Sequence, residues 1–335
     1  MPIIGIIASS IVAGPAQTIV VRHANSPRTT AYPWSAGFGT KFANAATLVT
    51  SGYSGGVDFP TAANNILLGA SNNIFAYPWS ATGFGTKYAD PASLPSGYGY
   101  GVAFRPQGDA AAIAQKNAPR VSAYPFSSGF GTKYADPATT PVGTGRDVAF
   151  NQAGDQIVIA HNDSPFVSAY PWSAGFGTKY ADPATLPTGS GNGVAFNATG
   201  DTLGVAHDAS PYMSVYDYSS GIGSKYSNPA TLPPNAGQDI DFSPSGDTVA
   251  LAHATSPYGS AWPWSGGFGT KYSNPATLPA GDAKGVAFNL AGDNLAFAHN
   301  TSPRITVYPW SAGFGTKYAD PATLPTGNGY GVAFL

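Results

Sequence analysis

The sequence contains no cysteine, and its 17 acidic residues are all Asp because Glu is also absent. Without cysteine, disulfide bonds and thiolate metal sites are excluded. Charged residues make up only 10% of the chain, and the formal net charge is −2. Such a chain has no basic surface for nucleic acid or an anionic membrane, so we expect neither partner. The 42 glycines and 30 prolines interrupt long helices and favour an all-β fold.

The first seven residues are apolar, but no Lys or Arg precedes Arg22. The run is also much shorter than a membrane-spanning helix. We therefore expect neither a signal peptide nor a membrane anchor there.

A repeat of 46 residues runs through the chain. A Gly-Phe-Gly or Gly-Ile-Gly tripeptide recurs seven times, and a Lys follows three residues after each centre. The centres are Phe38, Phe84, Phe130, Phe176, Ile222, Phe268 and Phe314. Fixed self-similarity at this length is typical of propellers and solenoids. Because no linker or charge block interrupts the repeat, we expect one closed domain.

One repeat, starting at Gly193, predicts four short strands. Residues 194–196, 203–207 and 213–218 are apolar runs separated by turn residues, and a fourth run surrounds Lys225. Four strands per repeat are typical of a propeller blade, which needs neighbours to bury its faces. The predicted fold is an all-β, seven-bladed β-propeller with four antiparallel strands in each blade.

The chain ends pose a closure problem, because the first-strand pattern occurs once too often. Residues 331–335 are a good copy of it, whereas 9–12 are a poor copy. We predict that 331–335 form the innermost strand of the blade completed by residues 17–48, so that 13–335 make one propeller. Residues 1–12 are then an N-terminal arm or an extra strand.

Two motifs resemble known propellers. Val-Ala-Phe-Arg-Pro-Gln-Gly-Asp at 102–109 resembles the first strand and turn of WD40-type repeats, and Tyr-Pro-Trp at 170–172 stands where those repeats carry Trp-Asp. The Gly-His that precedes the first strand in that family is missing, and Asp does not follow the Trp. Tyr-Pro-Trp-Ser-x-Gly-Phe-Gly-Thr-Lys and residues 1–10 are similar to highly repetitive propellers of tailed-phage virion proteins. This resemblance implies a tail, fibre or capsid-decorating component, whose partners are other virion proteins or a host-surface glycan or protein.

Five histidines occupy one position of the repeat, namely His23, His161, His207, His253 and His299. A ring of His suggests a metal site. However, each has Ser three residues later, and the repeat with Gln115 has Ala118 instead. This joint change favours a hydrogen bond within one blade that fixes the turn. We therefore expect a structural role and no bound metal.

Other repeated residues also have two interpretations. The seven Lys protect an outer strand edge or form an anion-binding ring, and we favour protection because Asp or Asn follows each. In five repeats an Asp follows Gly in the turn after the first strand. We interpret these Asp residues as stabilising tight turns, and the alternative is that they form repeated Ca²⁺ sites. Trp172 and its equivalents are expected to pack between blades.

An enzyme should carry a constellation that breaks the repeat. The one-off charges are Arg105, Lys116, Arg146, Asp147, Asp217, Asp239 and Asp241. None of them forms a recognisable catalytic set, and the chain has no Gly-x-Ser-x-Gly elbow and no phosphate-binding loop. We expect no enzymatic activity and no cofactor.

The repeats diverge most at three columns. The inner column lies just before the first strand of each repeat and contains Gly55, Tyr100, Arg146, Asn192, Gln238, Lys284 and Tyr330. The loop column lies two residues earlier and contains Tyr53, Tyr98, Thr144, Ser190, Ala236, Asp282 and Asn328. The turn column follows Ser-Pro or Ala-Pro and contains Arg28, Arg120, Phe166, Tyr212, Tyr258 and Arg304. Because alternate connections of a four-stranded meander emerge at the same end, the columns should share one face, the variable face. Tyr and Arg are favoured at recognition surfaces, while drift in solvated loops also explains variety.

The sequence thus favours a non-enzymatic structural or binding propeller located in a virion, or otherwise a soluble protein of unknown compartment. The alternative is a carbohydrate-binding lectin, whose aromatic rings stack on sugars. The candidate partner-binding residues are Tyr98, the inner column from Tyr100 onward, and the turn column from Arg120 onward.

Overall fold

A computed structural model describes residues 17–49, 55–60 and 64–335. Within those ranges the chain forms only strands, turns and irregular connections. Accordingly, that part of the chain offers no helix with the length and apolar character needed to cross a membrane. The strands form seven antiparallel sheets of three or four strands, here called blades 1 to 7.

Each blade contains strands that are consecutive in the chain, except blade 1, which joins the two chain ends. Blade 1 contains β23 (Gly329–Phe334), β1 (Gln17–His23) and β2 (Thr29–Trp34), and blade 2 contains β3 (Val57–Asp58), β4 (Asn65–Ala70), β5 (Asn73–Ser80) and β6 (Gly83–Phe84). Blade 3 contains β7 (Gly99–Phe104), β8 (Ala110–Gln115) and β9 (Val121–Pro125), and blade 4 contains β10 (Gly145–Phe150), β11 (Gln156–His161) and β12 (Val167–Pro171). Blade 5 contains β13 (Gly191–Phe196), β14 (Thr202–His207), β15 (Met213–Tyr218) and β16 (Ile222–Lys225). Blade 6 contains β17 (Gly237–Phe242), β18 (Thr248–His253) and β19 (Gly259–Pro263), and blade 7 contains β20 (Ala283–Phe288), β21 (Asn294–His299) and β22 (Ile305–Pro309).

The inner strands are the first strands of the blades: β23, β3, β7, β10, β13, β17 and β20. In blade order each contacts the next, and β20 contacts β23. One cluster of buried apolar residues lies between each pair of neighbouring blades. The arrangement is a propeller-like repeat fold and is consistent with seven blades around a central channel.

Aromatic side chains bridge neighbouring blades, as expected for the Trp positions. The ring of Trp172 in blade 4 meets Tyr134, from the chain segment after β9, with ring centroids 5.2 Å apart. Within its own blade it meets Phe150 and Phe176, each at 5.1 Å. All three contacts are edge-to-face, the geometry that aromatic rings prefer.

The two ends of the described chain meet in blade 1. Strand β23 pairs antiparallel with β1, with Phe334 opposite Ile19 and Val332 opposite Val21. Thr18 and Leu335 also exchange two backbone hydrogen bonds of 2.9 Å. The arm or extra strand predicted for residues 1–12 lies outside the described residues.

The prediction of four strands in every blade is wrong for five blades. Only blades 2 and 5 have a fourth strand among the described residues, and the others show a single bridging pair such as Trp172 with Phe176. The third strands of six blades carry Pro at one position, and its carbonyl accepts from the following Gly, as in Pro171 with Gly177 (2.8 Å). In an antiparallel pair of strands, the N–H and C=O of one residue point toward the same neighbouring strand. The Pro carbonyl can therefore accept a hydrogen bond from the chain segment outside the third strand, but Pro has no N–H to donate the second one. Blade 2, with Pro78 there, has a fourth strand of only two residues, whereas blade 5, with Asp217 there, has one of four residues.

We expect Asp217→Pro to remove the fourth strand of blade 5 without unfolding the protein. Six blades already accommodate Pro at this position, so the change should cost only the outer-strand hydrogen bonds, about 1 kcal/mol. Hydrogen exchange should show faster exchange of the amides of residues 222–225. The matched reverse change, Pro171→Asp, should slow exchange after Trp172. Unchanged exchange in both variants would show that Pro does not limit the fourth strand.

Candidate functional site: the channel mouth

The inner column of the variable face converges on the channel. All seven of its members line one cavity of about 670 Å³, together with deeper residues of the inner strands. Small-molecule sites in proteins enclose roughly 300–1,000 Å³. The most divergent position of the repeat therefore lies at the mouth of a cavity of ligand size.

Two cations stand at this mouth in different environments. The guanidinium carbon of Arg146 lies 5.6 Å from the centroid of the Tyr100 ring, in cation–π contact. Its Nε is buried and has no hydrogen-bond partner among the described residues. Lys284 donates from Nζ to Gln238 Oε1 at 3.1 Å. The mouth thus holds a guanidinium, placed against an aromatic face, with unused hydrogen-bonding capacity.

Gly55 leaves a gap between two tyrosines. In blade order it stands between Tyr330 of β23 and Tyr100 of β7. A Cβ built on Gly55 would lie only 1.9 Å from the carbonyl oxygen of Gly69. Since the backbone of β4 forbids any side chain at Gly55, the described part of the column has no side chain there, with a Tyr on each side.

Four carboxylates line the channel below the mouth: Asp58, Asp147, Asp239 and Asp241. Each accepts a hydrogen bond from a backbone N–H of the following blade. Asp239 Oδ2, for example, accepts from the N–H of Val286 at 2.9 Å. The inner strands have an open edge at the channel, and these carboxylates satisfy N–H groups along it and join neighbouring blades.

Burial changes the acidity of these carboxyl groups. It raises the pKa of Asp58 and Asp241 to about 7 and that of Asp239 to about 6. Burial, followed by the nearby Asp239, raises the pKa of Asp147 well above its usual value. The sequence showed three of them only as isolated charges and did not single out Asp58. The signal was their replacement of the Gly or Ala that other repeats carry at the same positions.

The loop and turn columns lie beside the mouth on the same face. The N–H of Lys116, in the turn after β8, donates to the carbonyl of Tyr98 at 2.8 Å. Arg304 donates to Asn328 Oδ1 at 3.2 Å. Tyr98 is 39% exposed, so its ring is accessible to a partner. Tyr53, the first member of the loop column, lies outside the described residues.

The turn column has a structural explanation that its sequence did not reveal. All six members have a positive φ, between 66° and 75°. Its three Arg side chains donate to the carbonyl four residues earlier, as Arg120 does to Lys116. Those guanidinium groups hold their own turns, and of the three aromatic members Tyr258 packs against the buried cluster between blades 6 and 7. The inner column is therefore the stronger candidate.

The His set forms hydrogen bonds within single blades, as predicted, but with another partner. Nδ1 of His161 donates to the carbonyl of Asp163 (2.8 Å), and Nε2 accepts from Ser168 Oγ (2.9 Å). The next two His repeat this geometry. The predicted partner, Ser164, instead precedes a cis-proline in the turn. The hydroxyl lies across the strand pair, where sequence spacing alone does not place it.

These histidines are neutral at pH 7. Burial lowers the pKa of all five to about 4. In blade 3, Gln115 replaces His and accepts from Ser122 Oγ at 3.0 Å, which preserves the bond to the hydroxyl. The described residues contain no group of three or more side chains able to hold a metal ion.

The repeated Lys and Asp residues also make local contacts. Lys87 Nζ lies 2.5 Å from Asp90 Oδ1, and each of the other six Lys contacts the Asp or Asn three residues later. Asp155 Oδ1 accepts from Asn151 Nδ2 at 2.7 Å within its turn. Local pairing favours edge protection over an anion-binding ring, and turn stabilisation over calcium binding.

Comparison with known proteins places the fold but not the function. No protein-family model matches the sequence, and no curated protein is significantly similar to it. Among solved structures, a protein of unknown function from Desulfotomaculum acetoxidans has a TM-score of 0.66 and 15% identity, covering 96% of this chain and 99% of that one. A Bacteroides fragilis protein proposed to be a 6-phosphogluconolactonase has a TM-score of 0.72 and 12% identity over 97% and 99%. A β-propeller domain from Myceliophteria thermophila has a TM-score of 0.60 and 12% identity over 82% and 89%. At these identities the likeness concerns the fold alone.

Proposed function

We propose that the protein is a non-enzymatic recognition module, a seven-bladed propeller closed by β23 and β1 that presents its variable face to a partner. The observation that carries this proposal is the convergence of the inner column on one cavity. Drift would scatter divergence over all solvated loops, whereas here all seven members of the most divergent column line one cavity of about 670 Å³.

We further propose that this module is a virion component, a tail, fibre or capsid-decorating protein. The repeat motif supports this assignment through its similarity to phage propellers. The partner is then another virion protein or a host-surface glycan or protein. Mass spectrometry of purified virions should find the chain in the particle; its absence from particles would reject this location.

The binding proposal is tested at the variable face. Replacing Tyr98, Tyr100, Arg146 and Tyr330 together by Ala should weaken partner binding by more than about tenfold, because aromatic and Arg side chains dominate such interfaces. Melting should change little, since accessible side chains contribute little to stability. Binding is measured by capture of virion proteins and of host cells on the immobilised chain.

The matched control changes the opposite face. Ser127, Ser173, Ser265 and Ser311 are exposed and follow the third strands, at the other end of the blades. Their joint replacement by Ala should leave binding intact. Equal losses in both variants, or binding that survives the first, would indicate that the divergence of the variable face is drift.

A further inference from the structure

The charges of the channel are separated along its axis. Arg146 and Lys284 stand at the mouth, while Asp147 and Asp239 lie one residue further along their strands. The buried, unpartnered Nε of Arg146 requires an acceptor, and a charged acceptor satisfies it best. The mouth therefore favours an anionic group at Arg146, and Lys284 on blade 7 adds a second positive charge to the same cavity lining.

The gap at Gly55 fits a ring-shaped body. Tyr100 and Tyr330 stand on either side of it, and tyrosine presents a large apolar face at low entropic cost. The face of Tyr100 is already in contact with the Arg146 guanidinium, which orients both groups. A ring entering this gap contacts aromatic surface while its acid group reaches the cation.

The deeper wall is rich in hydrogen-bond acceptors. Asp147 and Asp239 use oxygens to accept from Val194 and Val286, and each carboxylate oxygen has a second lone pair. Hydroxyl groups are donors that match the remaining lone pairs, whereas a plain aromatic acid offers no such donor.

We propose that the channel mouth binds an acidic sugar, a hexose ring that carries a carboxylate or a phosphate. The acid group lies at Arg146, the ring lies in the gap between the tyrosines, and the hydroxyls face the channel carboxyl groups, while Lys284 adds positive charge to the mouth. This proposal rests on the recognition function proposed above and names its ligand class.

Titration calorimetry on the full chain tests the chemistry with four probes. D-glucuronate and D-glucose 6-phosphate represent the two sources of the acid group, and the stronger binder identifies the source. D-glucose lacks the acid and benzoate lacks the hydroxyls, so each should bind about tenfold more weakly or worse. Equal binding of glucose or benzoate, or no binding of either acidic sugar at millimolar concentration, overturns the proposal.

A pair of double variants locates the site. Arg146→Met with Lys284→Met should abolish acidic-sugar binding, whereas Lys133→Met with Lys179→Met removes the same charge at the outer edge and should not. If the edge variant loses binding equally, the sugar responds to net charge and the mouth is not its site. A separate outcome is that no acidic sugar binds, while the variant with four alanines on the variable face still loses its macromolecular partner. In that case the recognition function stands and the proposed ligand class is wrong.

Discussion

Replacing His161, His207 and His253 by Gln is expected to make the protein markedly more resistant to acid. The pKa of each His is about 4 in the folded protein and 6.5 in the unfolded chain. Between these values the unfolded state binds more protons, so the stability due to neutral His is lost as the pH falls from 6.5 to 4. Gln does not titrate and, as Gln115 shows, keeps the bond to the hydroxyl.

The expected difference is large. Each His should contribute on the order of 2 kcal/mol to the gap in unfolding free energy between wild type and variant at about pH 4.5. Urea unfolding at neutral and acid pH measures this gap, which should be small at pH 7. The reverse change, Gln115→His, should increase acid sensitivity. Parallel pH profiles for all three proteins would contradict neutral, buried histidines.

The channel carboxylates act in the opposite direction but do not obscure this comparison. Because the pKa values of Asp58, Asp239 and Asp241 are raised to about 6 or 7, the folded state binds more protons than the unfolded state above pH 3.8. Their contribution to stability therefore decreases as the pH rises toward 7. They are half-buried, which weakens the effect, and they are present in every variant compared.

Arg22→Ala is expected to destabilise the contact between blades 1 and 2 by about 3–5 kcal/mol. The Arg22 side chain is 1% exposed, in a position where most repeats carry Ala. Its guanidinium donates to the carbonyls of Arg28 and Gly69, both at 2.7 Å, and to Thr29 Oγ1 at 2.9 Å. Alanine would leave a cavity and remove the guanidinium donors of the Gly69 carbonyl and Thr29 Oγ1, while the Arg28 carbonyl keeps the N–H of His23.

Two further variants separate volume from charge. Burial lowers the pKa of Arg22 to about 10, which shows that the buried charge is costly. Arg22→Met, which keeps most of the volume and removes the charge, should therefore lie much closer to wild type than Arg22→Ala. Arg105→Ala, at an ion pair with the exposed Asp109, should cost at most about 1 kcal/mol. Urea unfolding gives all three values, and similar losses for the Met and Ala variants would show that the guanidinium bonds dominate.

Much of the fold was accessible from the sequence, because its evidence is local and repeated. Alternation of apolar residues, Gly-Asp turns and Ser-Pro turns recur every 46 residues, and each sets strands within a few positions. These local patterns predict the all-β class and the seven repeats. They also predict that the divergent loops lie at the same end of the blades. The sequence also carries a signal for the missing fourth strands, because all five blades that lack one among the described residues have Pro in the third strand.

The site itself depended on the tertiary arrangement. Asp239 and Val286, or Tyr100 and Arg146, are about one repeat apart in the chain and become neighbours only when the blades stand side by side. The true partner of His161 lies on the facing strand, and the gap at Gly55 exists because the backbone of β4 approaches it. The sequence determined each blade, since short-range hydrogen bonding and burial act within a repeat. The channel, its carboxylates and its mouth were decided by packing between repeats, because no single blade contains them.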